Sequence, residues 1–317
     1  MTDGIQAAAD RHDTIVRQIA ESFRNQIRSP ILSSPRDVGL AFETVSFPSE
    51  DGTPLEGWFI PSPGSDRLVI ANHPRWFNRA GLPGHLEPWK SKGESTGNDF
   101  AVDFVADYKI LHDAGYNVLA YDLRNHGHSG VANGALVTSG IYESRDVIGA
   151  LAYARLHAQL SGMAIGLLSR CLGCNSTFIA ASRNPRAFDG VRCLVGVQPL
   201  SVRALMTRTL QAAGIDAARI EDLDRAIRLV TSFGIDDLSP VEAAKDFPIP
   251  AYLYQVRDDV MVLSSIVQQI FDNIPVKDKT LFWIEGTTRR YDGYTFFARQ
   301  PRDILAWIEQ RFTGAEA

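Results

Sequence analysis

Cysteine is scarce: Cys171, Cys174 and Cys193 are the only three among 317 residues. Too few and odd in number for a disulfide framework, they make a reducing, cytoplasmic setting the default. The chain also lacks an apolar run long enough to span a bilayer, so no membrane partner is expected. Its opening stretch, MTDGIQAAADRHDTIVRQIAESFRNQ, is charged throughout and has no signal-peptide apolar segment. Positive charge does not dominate either, with 32 Lys and Arg against 37 Asp and Glu, a net charge of −5. No basic stretch is interleaved with aromatics, so neither nucleic acid nor an anionic membrane surface is an expected partner. Internal repeats and low-complexity segments are missing as well. Histidine is absent from the whole chain beyond His157.

What the chain does have is ordinary globular composition, 45% hydrophobic and 22% charged, with length enough for a full core. Residues 5–29 carry Ile5, Ala8, Ile15, Ile19, Phe23 and Ile27 mostly on one face, which predicts a helix within a 1–30 segment. That helix packs on the core or on a second subunit, a homodimer being the second arrangement. FETVSFPS and LEGWFIPS, joined by the turn-rich EDGTP, predict a hairpin. RLVIANH, YNVLAYDLR, MAIGLLS, VRCLVGVQPL, AYLYQV and KTLFWIEG then read as buried strands. Helical patterns at 99–114, 141–158, 172–184, 263–274 and 293–312 alternate with them. The expected fold is therefore α/β, a mostly parallel central sheet with helices on both faces and the hairpin at its antiparallel edge. Two insertions break the rhythm: the Gly/Pro/Trp-rich loop 74–98, and 201–247, which is helical without a strand pattern. Both leave the carboxyl ends of strands, where open sheets bind ligands, so both could roof a site. The core is thus expected over 40–200 and 248–317, with 201–247 as a helical lid.

Ala164 to Phe178, AIGLLSRCLGCNSTF, reads as strand, tight turn and helix. A nucleophile elbow needs small residues two before and two after the nucleophile, because neighbouring backbone passes close. Ser169 and Gly173 occupy those positions around Cys171, giving S-x-C-x-G. Two rival readings compete. A redox C-x-x-C also opens a helix after a strand, but here it lies inside the better-explained elbow. A zinc site needs four ligands, and Cys193 is the only other thiol. No metal and no cofactor are expected. Cys174 reads as a small helix residue and Cys193 as a core thiol.

With these residues the chain resembles the α/β-hydrolase fold superfamily over about residues 40–313. DLRNHGHSG, from Asp122 to Gly130, resembles the D-x-R-G-H-G-x-S segment of many members. YQVRDDVMV resembles the segment that carries the triad aspartate, and IEGTTRRYDGY stands where the catalytic histidine is found. The order nucleophile, acid, last motif is also the family's. The resemblance implies Cys171 as nucleophile, as on the cysteine elbow of dienelactone hydrolases, and Asp259 as acid, with Asp258 one residue out of register. It implies an oxyanion hole from the N–H of Leu172 and a second N–H. That donor normally follows an H-G pair; here the pair is His73-Pro74, and proline has no N–H, which leaves Arg75 or Trp76.

The departure is at the histidine, whose place is taken by Arg289, or by Arg290 if the register slips. Arginine stays protonated and cannot serve as general base. It can pair with Asp259, stabilise a Cys171 thiolate or hold a substrate carboxylate. A Cys171–Arg289–Asp259 site would suit small-molecule acyl substrates with good leaving groups: thioesters, activated esters, lactones. Arg75, Arg170, Arg289 and Arg290 hint at an anionic substrate group. Trp76, Phe77 and Trp89 are candidates for an apolar pocket, and His73 and Arg170 for substrate contact, His73 also reading as a structural histidine bonded to loop backbone. His85 is an outside candidate for a substituted base. The expected activity is that of an esterase or thioesterase-like hydrolase. Acyl transfer, a non-hydrolytic lyase or cyclase reaction, and a non-catalytic ligand-binding role stay open beside it.

Overall fold

The strands that read as apolar runs assemble into one eight-stranded sheet in the order β1-β2-β6-β3-β7-β8-β9-β10. Its strands are β1 (Glu43–Pro48), β2 (Pro54–Ile60), β3 (Arg67–Asn72), β6 (Asn117–Tyr121), β7 (Ala164–Arg170), β8 (Val191–Val197), β9 (Ala251–Val256) and β10 (Lys279–Ile284). Two short strands, β4 (Gly81–Leu82) and β5 (Val102–Asp103), form a separate antiparallel pair. The structure is a computed structural model and describes residues 2–24 and 26–314, with side chains from residue 11 onward. Met1, Asn25 and 315–317, which the expected terminal segments include, lie outside the described residues.

β1 and β2 pair antiparallel with each other, β2 pairs antiparallel with β6, and every other pairing in the sheet is parallel. The hairpin thus takes the edge position expected of it. Parallel strands covered on both faces read as continuous apolar runs rather than alternating ones. In β3, Leu68 and Ile70 face one core while Val69 and Ala71 face the other. The helices covering the faces are α1 (Thr2–Glu21), α2 (Trp89–Gly93), α3 (Val105–Asp113), α4 (Ser144–Leu156), α5 (Leu172–Arg183), α6 (Val202–Ala212), α7 (Ile220–Thr231), α8 (Ser264–Asn273), α9 (Arg290–Tyr294), α10 (Phe296–Arg299) and α11 (Arg302–Thr313). No helix among the described residues is long and apolar enough to cross a membrane.

Three expectations about helices need correction. The first helix stops at Glu21 instead of continuing to 29. The 99–114 pattern is helical only from Val105, because Val102 and Asp103 are spent on β5. The 293–312 pattern is three helices, not one: Pro301 precedes α11 and cannot continue the hydrogen bonding of α10. The 201–247 segment carries α6 and α7 and no strand. α1 packs on α7 of the same chain, where Arg219 pairs with Asp13 at 2.6 Å.

Candidate active site

The carboxyl ends of five strands converge on one cavity. β3 runs into His73–Phe77, β7 into Cys171, β8 into Gln198, β9 into Asp259, and the loop after β10 into Arg290. The sheet register fixes their relative heights, since Asn72 lies opposite Ser169, Arg170 opposite Val197, and Val197 opposite Tyr254.

Cys171 has φ 48° and ψ −108°, in the region L-residues avoid. The strain is held by backbone: Cys171 N–H donates to the Val197 carbonyl at 2.7 Å, and its own carbonyl accepts from Asn175 N–H at 2.8 Å. Gly173 N–H donates to the His73 carbonyl, and a Cβ on Gly173 would stand 2.5 Å from the Asn72 Cβ. Ser169 places a small hydroxyl between Asn72 and Thr177. These are the close approaches a nucleophile elbow requires, and they explain both small residues of S-x-C-x-G. Among the described residues eight non-glycine residues have positive φ; Trp76, Ser139 and Cys171 line the cavity and Gln198 braces it. Strained backbone of this kind persists where the surroundings over-determine it, and it clusters at functional sites.

The cavity measures about 360 Å³, within the range of small-molecule sites. Its apolar wall comes from Trp76, Phe77, Leu172, Leu205, Met206 and Met261. The 74–98 loop and α6 both contribute, and so, unexpectedly, does the first helical segment through Gln18, Ile19 and Ser22. Trp89 packs into the core instead.

The arginine beneath the thiol is Arg290, not Arg289. Arg289 is half exposed and grips Asp292 through Nε and Nη2 at 2.9 and 3.0 Å. Arg290 is buried and opens α9, which turns it inward. Its Nη1 donates to Asp259 Oδ2 at 2.6 Å, its Nε to the Tyr294 hydroxyl at 2.9 Å, and its Nη2 to the Gln198 carbonyl. Arg290 also lines the cavity with Cys171, and the two groups interact electrostatically. Burial alone would weaken the charge; the electron-rich Tyr294, Asp259 and Cys171 outweigh it and hold the guanidinium well above its ordinary value. Asp259 is buried and also accepts from Gln255 Nε2 and Met261 N–H, whereas Asp258 is exposed. The register question therefore falls to Asp259.

Other candidates lie elsewhere. Arg170 points to the opposite side of the strand, fully buried, bonded to Asp107 at 2.6 Å and stacked on Phe104. It does not line the cavity. His73 does not either: Pro74 O lies 2.7 Å from its Nδ1, and its Nε2 accepts from Leu123 N–H at 2.9 Å. Burial pushes this ring down to about 4, so it stays neutral and structural. His126 lies edge-on to His73 and is pushed down by burial to about 3. His85 opens onto a separate cleft beside Val102. No histidine lines the cavity.

Leu172 follows Cys171 directly and lines the cavity with Arg75 and Trp76. The backbone N–H groups of these three residues find no acceptor among the described residues. Arg75 forms no ion pair there, bonding only to the Ser22 carbonyl and Gln26 Oε1 and stacking on Phe23 and Trp76. All three cysteines are free thiols. Burial pushes Cys174 up, and Cys193 to about 12, as inert core thiols.

Two site residues escaped sequence reasoning. Tyr294 stands four residues after Arg290, so both project from one face of α9, a spacing visible in RRYDGY. Gln198 adopts φ 54° and clasps Arg290 twice, its Nε2 donating to the Arg290 carbonyl and its own carbonyl accepting from Nη2. A Cβ on Gly293 would collide with that Gln198 side chain. Nothing in VGVQPL announces such a role.

No protein-family model matches the sequence, and no curated protein matches it. Solved structures do match in fold. The chain is similar to the esterase Pf2001 of Pyrococcus furiosus, at 19% identity and TM-score 0.65, over 93% of this chain and 99% of that one. It is similar to the α/β hydrolase GrgF from Penicillium sp. sh18, at 16% identity and TM-score 0.57, over 86% and 100%. It is also similar to the Pyrococcus horikoshii acylaminoacyl peptidase, at 15% identity and TM-score 0.58, over 87% of this chain and 43% of that one. The chain has the α/β-hydrolase fold.

Proposed function

We propose that the chain is a hydrolase that cleaves a thioester, activated ester or lactone through a thioester formed on Cys171. The observation that carries this reading is the buried Arg290, fixed by Asp259, Gln198 and Tyr294 and lining one cavity with a cysteine on a strained elbow. Arginine cannot take up a proton, so it does not deprotonate the thiol as histidine would. It acts by keeping a positive charge beside the sulfur, which favours the thiolate. A thiolate is nucleophilic without a base, and this makes the pairing of cysteine with arginine chemically coherent where serine would fail.

The acyl group would lie against Trp76, Phe77, Leu205 and Met206, with its carbonyl oxygen directed to the N–H of Leu172 and that of Arg75 or Trp76. Arg170 and Arg289 being committed to Asp107 and Asp292, the cation left for an anionic group on the substrate is Arg75. Amides, whose leaving nitrogen must be protonated, are disfavoured substrates. Mixing the protein with p-nitrophenyl acetate should add one acetyl group to Cys171 by intact mass and peptide mapping, and C171A should take up none. An unmodified Cys171 would instead indicate a binding protein using the same cavity. Turnover without release of an acid would indicate a lyase or cyclase.

A further inference from the structure

Acyl transfer needs a proton for the leaving group and a base for water, and no histidine lines the cavity. We propose that the Tyr294 hydroxyl is that proton donor and acceptor, an inference that rests on Cys171 being the nucleophile. Its oxygen accepts from Arg290 Nε at 2.9 Å, so its own hydrogen is free for another partner. Cys171 lines the same cavity, and its sulfur interacts electrostatically with the phenol. Tyr294 lines the cavity, and its ring is held edge-on by Phe77 and against Tyr291. The neighbouring Tyr291 also lines the cavity and feels the Cys171 charge, but among the described residues it is the Tyr294 hydroxyl that Arg290 holds.

In the resting site burial holds the Tyr294 phenol well above its ordinary value, against the pull of Arg290, and a Cys171 anion raises it further. The phenol therefore keeps its proton until a leaving group takes it. The thiolate attacks the acyl carbon and the C–S bond forms. The bond to the leaving atom then breaks, its electron pair departs with that atom, and Tyr294 supplies the proton. One negative charge has moved from sulfur to the phenolate oxygen. In the second half, water gives a proton to the phenolate and its hydroxide to the acyl carbon. The C–S bond breaks and its pair returns to sulfur. The sum is ester plus water giving acid plus the protonated leaving group, with one negative charge passed between sulfur and phenol oxygen beside the Arg290–Asp259 pair.

The test is Y294F with two acetyl donors of unequal leaving group. Acetylation of Cys171 by p-nitrophenyl acetate, whose leaving group needs no proton, should stay within about threefold of wild type. Acetylation by S-ethyl thioacetate should fall about 100-fold or more, and hydrolysis of the acetyl-enzyme should slow similarly, so that the adduct persists by intact mass. Retained p-nitrophenyl reactivity also shows that the variant is folded. No loss with Y294F, or the same loss on both donors, overturns the role of Tyr294 and leaves Cys171 as nucleophile. Failure of wild type to acetylate Cys171 with either donor overturns the nucleophile itself, and the Tyr294 inference with it.

Discussion

Arg124 and Arg290 are both buried arginines bonded to buried aspartates, yet they finish their hydrogen bonding differently. Arg124 spends its guanidinium on Asp146, Asp51, Asn133 and Ser49. None of those partners lines the cavity. Arg290 has one bond each to Asp259, Tyr294 and Gln198, and it lines the cavity with Cys171. A buried ion pair is therefore no sign of chemistry in itself. What separates the two is whether the charge is fully consumed by structure or faces the thiol we propose as nucleophile.

The contrast can be broken by removing each arginine. R124M and R290M each strand a buried aspartate, and each should lower unfolding stability by about 3–5 kcal/mol in denaturant titration. If R290M costs nothing, Asp259 is not held by this pair. A smaller effect is expected at Gln198, whose Oε1 accepts from Val256 N–H and whose Nε2 donates to the Arg290 carbonyl. Q198A should cost about 1–3 kcal/mol by leaving buried backbone groups unpaired, and should slow acetylation of Cys171 by loosening Arg290. A destabilised protein with an unchanged acetylation rate would separate the brace from the chemistry. The smallest effect belongs to Arg289, half exposed and paired with Asp292 across one turn. R289A should change stability by no more than about 0.5 kcal/mol and leave acetylation untouched. A large loss there would return the role to the residue the sequence favoured.

Much of this was legible in the chain. Six strands of the main sheet announced themselves as apolar runs, because parallel strands buried on both faces have no polar side to disguise them, and the edge hairpin announced itself by its turn-rich link. The elbow was legible because its close approaches demand small residues at fixed spacing, here Ser169 and Gly173. What did not show was which of two adjacent arginines turns inward. That depends on where α9 starts, and a one-residue shift at a helix start exchanges buried for exposed. Arg170 misled for a related reason: it lies next to Cys171 in sequence, but β7 projects it to the other face against Asp107. The 293–312 helix was overextended because its apolar period carried through Pro301. The contribution of Ile19 and Ser22 to the cavity is long-range packing that no local pattern encodes.

The central claim is that Arg290, held by Asp259, sustains the nucleophilic state of Cys171. The most direct measurement is the rate of Cys171 alkylation by iodoacetamide at pH 7, resolved by peptide mapping, in wild type, R290M and R289M. The account predicts that R290M lowers the rate about tenfold or more while R289M stays within about twofold of wild type. Equal rates in all three proteins would contradict it.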